Sequence, residues 1–148
     1  MRTFTISEIA DRIRRPDEEI GAVIDRLKNW VKEGLLKPVG ERHPGTGRHR
    51  RFPESALIDA AILHVMTDQI GMQAVQAGAL RKLFIDTRKA FSRKPDAERF
   101  VTIGRSPDNR AAEIGLSHAQ GLAGLLTGSP HESHVVIDLQ KLFKRLEG

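Results

Sequence analysis

The chain has 148 residues, with 24 Lys+Arg against 19 Asp+Glu for a net charge of +5, six His, one Trp, and neither Cys nor Tyr. That length suits one domain or two very small ones, and 39% apolar with 29% charged residues fits a folded soluble protein rather than a disordered or membrane-spanning one. The missing Cys excludes disulfides, thiolate-bound zinc, thiol nucleophiles and thiol redox sensing together, and the pI of about 10.0 overstates the positive excess because no Tyr or Cys opposes it before Lys titrates.

No apolar signal core follows Met1-Arg2-Thr3-Phe4-Thr5, so no secretory signal is expected and the cytoplasm is the expected location. The first helix is predicted from Ile6, Ile9, Ala10 and Ile13, which recur at helical spacing. Thr5 is its N-cap, and Glu8 stands at the capping-box position. Pro16 with Asp17, Glu18 and Glu19 predicts a second helix over residues 16–33, with fixed φ in its first turn and acids at the positive end of its dipole. Its apolar stripe is Ile20, Val23, Ile24, Leu27, Trp30 and Val31, with Trp30 read as core, and Gly34 closes it as a left-handed cap. The opposite face carries Arg26, Lys28, Asn29 and Lys32.

Residues 35–39 read as a short strand and residues 50–52 as its return, joined by a tip that includes His43-Pro44-Gly45-Thr46-Gly47. Pro53-Glu54-Ser55 restarts helix as far as about residue 67. A longer helix is predicted over residues 71–92, with Met72, Val75, Ala79, Leu80, Leu83, Phe84 and Phe91 along its apolar face. That face serves either to pack beneath the C-terminal segment or to form a homodimer interface. Lys94-Pro95-Asp96 ends it. Residues 100–103 and 134–137 are expected to be strands that pair with each other, residues 111–127 a glycine-interrupted helix, and Leu139, Leu142, Phe143 and Leu146 the apolar side of a terminal helix. The expected class is α+β, mainly α with small β, in three parts: a helix-helix-wing module at 1–67, a linking or dimerisation helix at 68–94, and a small α+β effector or oligomerisation domain at 95–148.

The charge is unevenly placed. Residues 1–53 hold 12 Lys+Arg against 8 Asp+Glu, residues 54–98 hold 6 against 6, and residues 99–148 hold 6 against 5. Within the first segment, residues 42–51 carry Arg42, Arg48, Arg50 and Arg51 with His43 and His49, and no acid. Guanidinium groups clustered on a loop beside a polar, basic helix face offer several phosphate contacts, so double-stranded DNA is the expected partner, with affinity that falls steeply with salt. Asn29 has the donor and acceptor needed to read an adenine edge.

Three stretches resemble the MerR family of winged helix-turn-helix transcription regulators: Phe4-Thr5-Ile6-Ser7-Glu8-Ile9-Ala10, then Glu33-Gly34-Leu35-Leu36-Lys37-Pro38, then residues 47–57, where Arg51-Phe52 leads into the next helix. The likeness covers residues 4 to about 67. It implies a homodimer on a two-fold operator, with Lys28, Asn29 and Lys32 on the second helix and Arg42, Arg48, Arg50 and Arg51 in the wing against DNA; Arg26 is added from its place on the same polar face. The stretch from Ala10 to Gly34 is several residues longer than the family's. Asp17-Glu18-Glu19 falls where the family's helix enters the major groove, so either those acids face away or a later turn reads the groove. RNA polymerase or a small-molecule effector are further partners that the resemblance allows, and an excisionase-like DNA-bending protein is the alternative function.

Competing chemistry is weak. His131-Glu132-Ser133-His134 has a metal-like spacing but enters a strand rather than lying on a helix. No nucleophile elbow or P-loop occurs, so neither a metal, a cofactor nor an enzymatic activity is expected.

Overall fold

The computed structural model describes residues 2–40, 50–70, 99–105 and 113–147, together with Lys82, Leu83, Ile85, Asp86 and Lys89. The protein is α+β, and it divides into two compact units, Met1–Val65 and Met66–Gly148.

In the first unit, β1 (Thr3–Phe4) leads into α1 (Ile6–Ile13), α2 (Ile20–Lys32), β2 (Phe52–Pro53) and α3 (Glu54–Ile70), whose last turn belongs to the second unit. The capping box at α1 forms as its sequence predicts. The Glu8 N–H donates to Thr5 Oγ1 at 3.2 Å, and the Thr5 N–H donates to Glu8 Oε2 at 2.6 Å, satisfying two of the donors that a helix start leaves open. Ile9, Ala10 and Ile13 are buried on the face that packs against α2.

α2 begins four residues later than the sequence predicts. Residues 15–18 form a turn closed by the Glu18 N–H on the Arg15 carbonyl at 3.1 Å, with Pro16 at the second position, where its fixed φ suits a turn as well as a helix start. Arg15 draws both acids into that turn, its Nε lying 3.4 Å from Asp17 and 3.0 Å from Glu18. Because the helix starts at Ile20, that side chain is 39% exposed rather than part of the stripe. Val23, Leu27, Trp30 and Val31 are buried as expected.

The close of α2 also follows its sequence. Gly34 has φ +79°, and the N–H groups of Leu35 and Leu36 both donate to the Trp30 carbonyl, at 2.9 and 3.3 Å. Beyond it, residues 35–39 are not a regular strand. They meet the return through one backbone bond, Val39 N–H to the Arg51 carbonyl at 2.8 Å. β2 pairs instead with β1, Phe4 opposite Phe52, because two buried phenylalanines, each 2–3% exposed, hold the N-terminus there. α3 is buried on nearly every side, from Ala56 to Met66.

The second unit holds β3 (Phe100–Arg105), β4 (Glu113–Ser117), α4 (Ala119–Gly128), β5 (Ser133–Asp138) and α5 (Leu139–Glu147). Its sheet has the order β4-β3-β5, with both outer strands antiparallel to β3. The expected pairing of residues 100–103 with 134–137 is present: Val101 faces Ile137 and Ile103 faces Val135. The helix predicted over residues 111–127 is half strand. Gly115, which reads as a helix interruption, is an interior strand residue opposite Thr102, and a Cβ there would stand 3.1 Å from Thr102 Oγ1. Val101, Ile103 and Leu139 are fully buried, and Leu142 and Leu146 are buried along α5. Lys141 N–H donates to Asp138 Oδ1 at 3.1 Å across the start of α5. Lys82, Leu83, Ile85, Asp86 and Lys89 are helical; the remainder of the helix predicted over residues 71–92 lies outside the described residues. No helix among the described residues is long and apolar enough to cross a membrane.

Candidate nucleic-acid interface

Burial of one side of α2 decides what its other side offers. With Val23, Leu27, Trp30 and Val31 turned inward, Asp25, Lys28, Asn29 and Lys32 are exposed, and their three- and four-residue spacing places them on one outward face. Three of the four residues expected to face DNA from this helix are therefore together. The fourth is differently placed: Arg26 is half-buried, and its Nη1 donates to Nδ1 of His64 on α3 at 3.1 Å. His64 is 1% exposed, and its Nε2 lies 3.1 Å from Glu18 Oε1. Arg26 and Glu18 thus bracket a buried imidazole and tie α2 and its preceding turn to α3.

The later start of α2 also relocates the acids. Asp17 and Glu18 sit in the turn against Arg15, and the first helical turn holds no acid. It presents Ile20, Gly21 and Ala22, all exposed, which can make apolar contact with thymine methyl groups, although exposed Glu19 stands just before the helix and exposed Asp25 shares its outward face. Sequence reasoning assigned them no role because it placed Ile20 in the core stripe; the signal was Glu19 as the residue just before the helix.

Of the residues expected to form a basic wing, Arg42, His43, Arg48 and His49 lie outside the described residues. Arg50 is exposed. Arg51, about half exposed, is engaged within the fold: its Nε donates to Thr3 Oγ1 at 3.1 Å and its Nη2 to the Thr3 carbonyl at 3.0 Å, while Nη1 stands 3.7 Å from Glu8 Oε2. It clamps the residue before β2 to β1 and to the capping box. Arg2 and Arg12 stand over the Phe4 ring at 5.1 and 5.2 Å from its centroid.

The Glu8 carboxyl is held below its ordinary value of 4.5 by the Thr5 N–H and the Thr5 hydroxyl, and further by the charges of Arg51 and Arg12. A carboxyl depressed in the folded state stabilises the fold above its unfolded value, and that contribution disappears as pH falls through the folded value. The stability gap between the wild type and Glu8→Gln is thus expected to be widest near neutrality and to close under acid. Urea midpoints measured from pH 7 down to pH 2 check this; a gap independent of pH would show that Glu8 ionisation contributes nothing.

On the expected dimer face, Met72, Val75, Ala79, Leu80, Phe84 and Phe91 lie outside the described residues. Leu83 is 4% exposed within the single chain, whereas Ile85 is 49% exposed. Among the described residues no group of three His, Asp or Glu is arranged to hold a metal ion. His131 instead directs Nε2 at Glu113 Oε2, 2.7 Å away. No family model matches the chain, and no curated protein sequence matches it.

Proposed function

We propose that the protein is a MerR-like winged helix-turn-helix transcription regulator that acts in the cytoplasm on the nucleoid, binding a two-fold operator as a homodimer. The observation that carries this reading is the outward face of α2. Lys28, Asn29 and Lys32 are exposed together, the first turn is free of acids, and the opposite side of the helix is buried. Lys28 and Lys32 would hold phosphates, and Asn29 would read a base edge. Arg42, Arg48 and Arg50 in the wing would reach phosphates or the adjacent minor groove. Arg26 and Arg51, with hydrogen bonds inside the fold, set the angle of α2 and the base of the wing and contribute to binding through that position.

The second unit, with its own three-stranded sheet, favours a regulator over an excisionase-like protein, which needs little beyond a DNA module. Genome-wide mapping of bound sites tests the proposal. Enrichment at promoters, on sequences with two-fold symmetry, is the expected result. Enrichment at the ends of integrated elements would favour the DNA-bending alternative, and no enrichment would contradict both.

A further inference from the structure

The sheet of the second unit ends on β5, and among the described residues β5 pairs with β3 alone. The ladder decides which backbone groups its other edge carries. The Leu139 N–H donates to the Arg99 carbonyl at 3.0 Å, continuing the register that sets Ile137 opposite Val101 and Val135 opposite Ile103. Along an antiparallel ladder, opposed residues alternate between pairs that exchange both backbone bonds and pairs that exchange none. Val135, Ile137 and Leu139 therefore bond to β3, and His134, Val136 and Asp138 turn their N–H and C=O groups outward. Val136 also leaves its side chain 41% exposed.

An open strand edge is a template for further pairing, and folded proteins ordinarily blunt it with Lys, Pro or a bulge. Ser133–Asp138 contains neither Lys nor Pro, and its register with β3 runs unbroken over all six residues. Val135, Val136 and Ile137, all β-branched, form its centre. The order of side chains suits one partner, a second copy of the same strand. With that copy antiparallel and Val136 opposite its counterpart, all three outward residues fall into bonded pairs: Val136 with the partner's Val136, and His134 with the partner's Asp138 on either side of the axis. Each pair exchanges two backbone bonds. An imidazole then stands across from a carboxylate, Val135 meets the partner's Ile137 on the other face of the sheet, and no like charges are opposed. A shift by two residues in either direction sets Val136 against His134 or Asp138 and loses both His–Asp pairs.

We propose that two copies of the chain pair through β5, antiparallel and about a two-fold axis at Val136, so that two three-stranded sheets join into one continuous sheet. The contact is made of main-chain bonds at the edge of the second unit, and it forms whether or not the first unit binds DNA. For the proposed regulator it supplies a homodimer contact within the second unit.

The chain has no Cys, so Val136→Cys gives it a single thiol. Across a bonded antiparallel pair the Cα atoms stand about 5.5 Å apart, within reach of a disulfide. Mild oxidation of the full-length variant should therefore join two chains, whereas Val39→Cys, at a site in the first unit that is 43% exposed, should stay uncoupled under the same conditions. Amide hydrogen exchange gives a second readout. The amides of His134, Val136 and Asp138 should exchange slowly in concentrated protein and fast in dilute protein, while those of Val135 and Ile137, bonded to β3, stay slow in both. Val136→Lys replaces an apolar pair on the axis by two ammonium groups. It should raise the concentration needed to protect the His134 amide roughly tenfold while leaving the resonances of Val101 and Ile103 in place. Cross-linking no faster at position 136 than at position 39, fast exchange of the His134 and Val136 amides at every concentration, protection that survives dilution without cross-linking, as cover by the chain's own residues would give, or protection indifferent to Val136→Lys would each overturn the proposal.

Discussion

Trp30→Ala is expected to destabilise the first unit by about 3–5 kcal/mol, the range for removing a fully packed large aromatic. Trp30 is 3% exposed at the centre of the buried side of α2, and its carbonyl receives the two N–H groups that shape the turn at Gly34. A unit of this size has a total stability of roughly 3–10 kcal/mol, so the substitution removes a large share of it. The outward face of α2 depends on that inward anchor. Thermal unfolding followed by backbone and methyl resonances is the check. The signals of Ile9, Ile13 and Leu27 should collapse well below the wild-type midpoint, while those of Val101 and Ile103 persist. Retention of the wild-type midpoint would mean that Trp30 is not the core residue described.

Gly104→Ala is expected to destabilise the second unit by about 1–3 kcal/mol through overpacking. The backbone at this position is not in the left-handed region, so the effect is steric: the new methyl would stand 2.8, 3.1 and 3.2 Å from His131 Cδ2, Cγ and Cβ. The ring cannot swing aside cheaply, because it is 9% exposed and bound to Glu113. A double-mutant cycle isolates the contact. Gly104→Ala should cost much less in a His131→Ala background than in the wild type. Equal costs in the two backgrounds would show that something other than His131 requires glycine there.

Much of this architecture was legible in local chemistry. Thr5 and Glu8 announce the start of α1 because a capping box is completed within four residues, and Gly34 announces the end of α2 because a left-handed cap needs no distant partner. The pairing of β3 with β5 followed from two β-branched runs that had to be satisfied by something. The start of α2 was misread because Pro16 and the acids after it suit a turn and a helix equally, and the deciding contacts come from Arg15. β4 was missed because Gly115 carries no strand signal of its own; its value lies in leaving room for Thr102.

The candidate interface was legible in part for the same reason. Exposure of Lys28, Asn29 and Lys32 follows from the periodicity of α2, which a sequence displays. The internal roles of Arg26 and Arg51 do not. Arg26 meets a histidine 38 residues away, and Arg51 meets a threonine 48 residues away, and composition treats both as two more positive charges.

The most direct test of the proposed function is the salt dependence of DNA binding by the wild type and by the Arg48→Ala/Arg50→Ala double variant, in which Arg51 is kept to preserve its bonds to Thr3. Affinity for a bound site recovered by mapping, and for a random duplex of equal length, is measured from 50 to 200 mM salt. Each phosphate contact contributes about −0.9 to the slope of log affinity against log salt. The account predicts that the double variant binds both duplexes more weakly and that its slope is shallower by about 1.8. A wild type that binds neither duplex, or a double variant with unchanged affinity and slope, would contradict it.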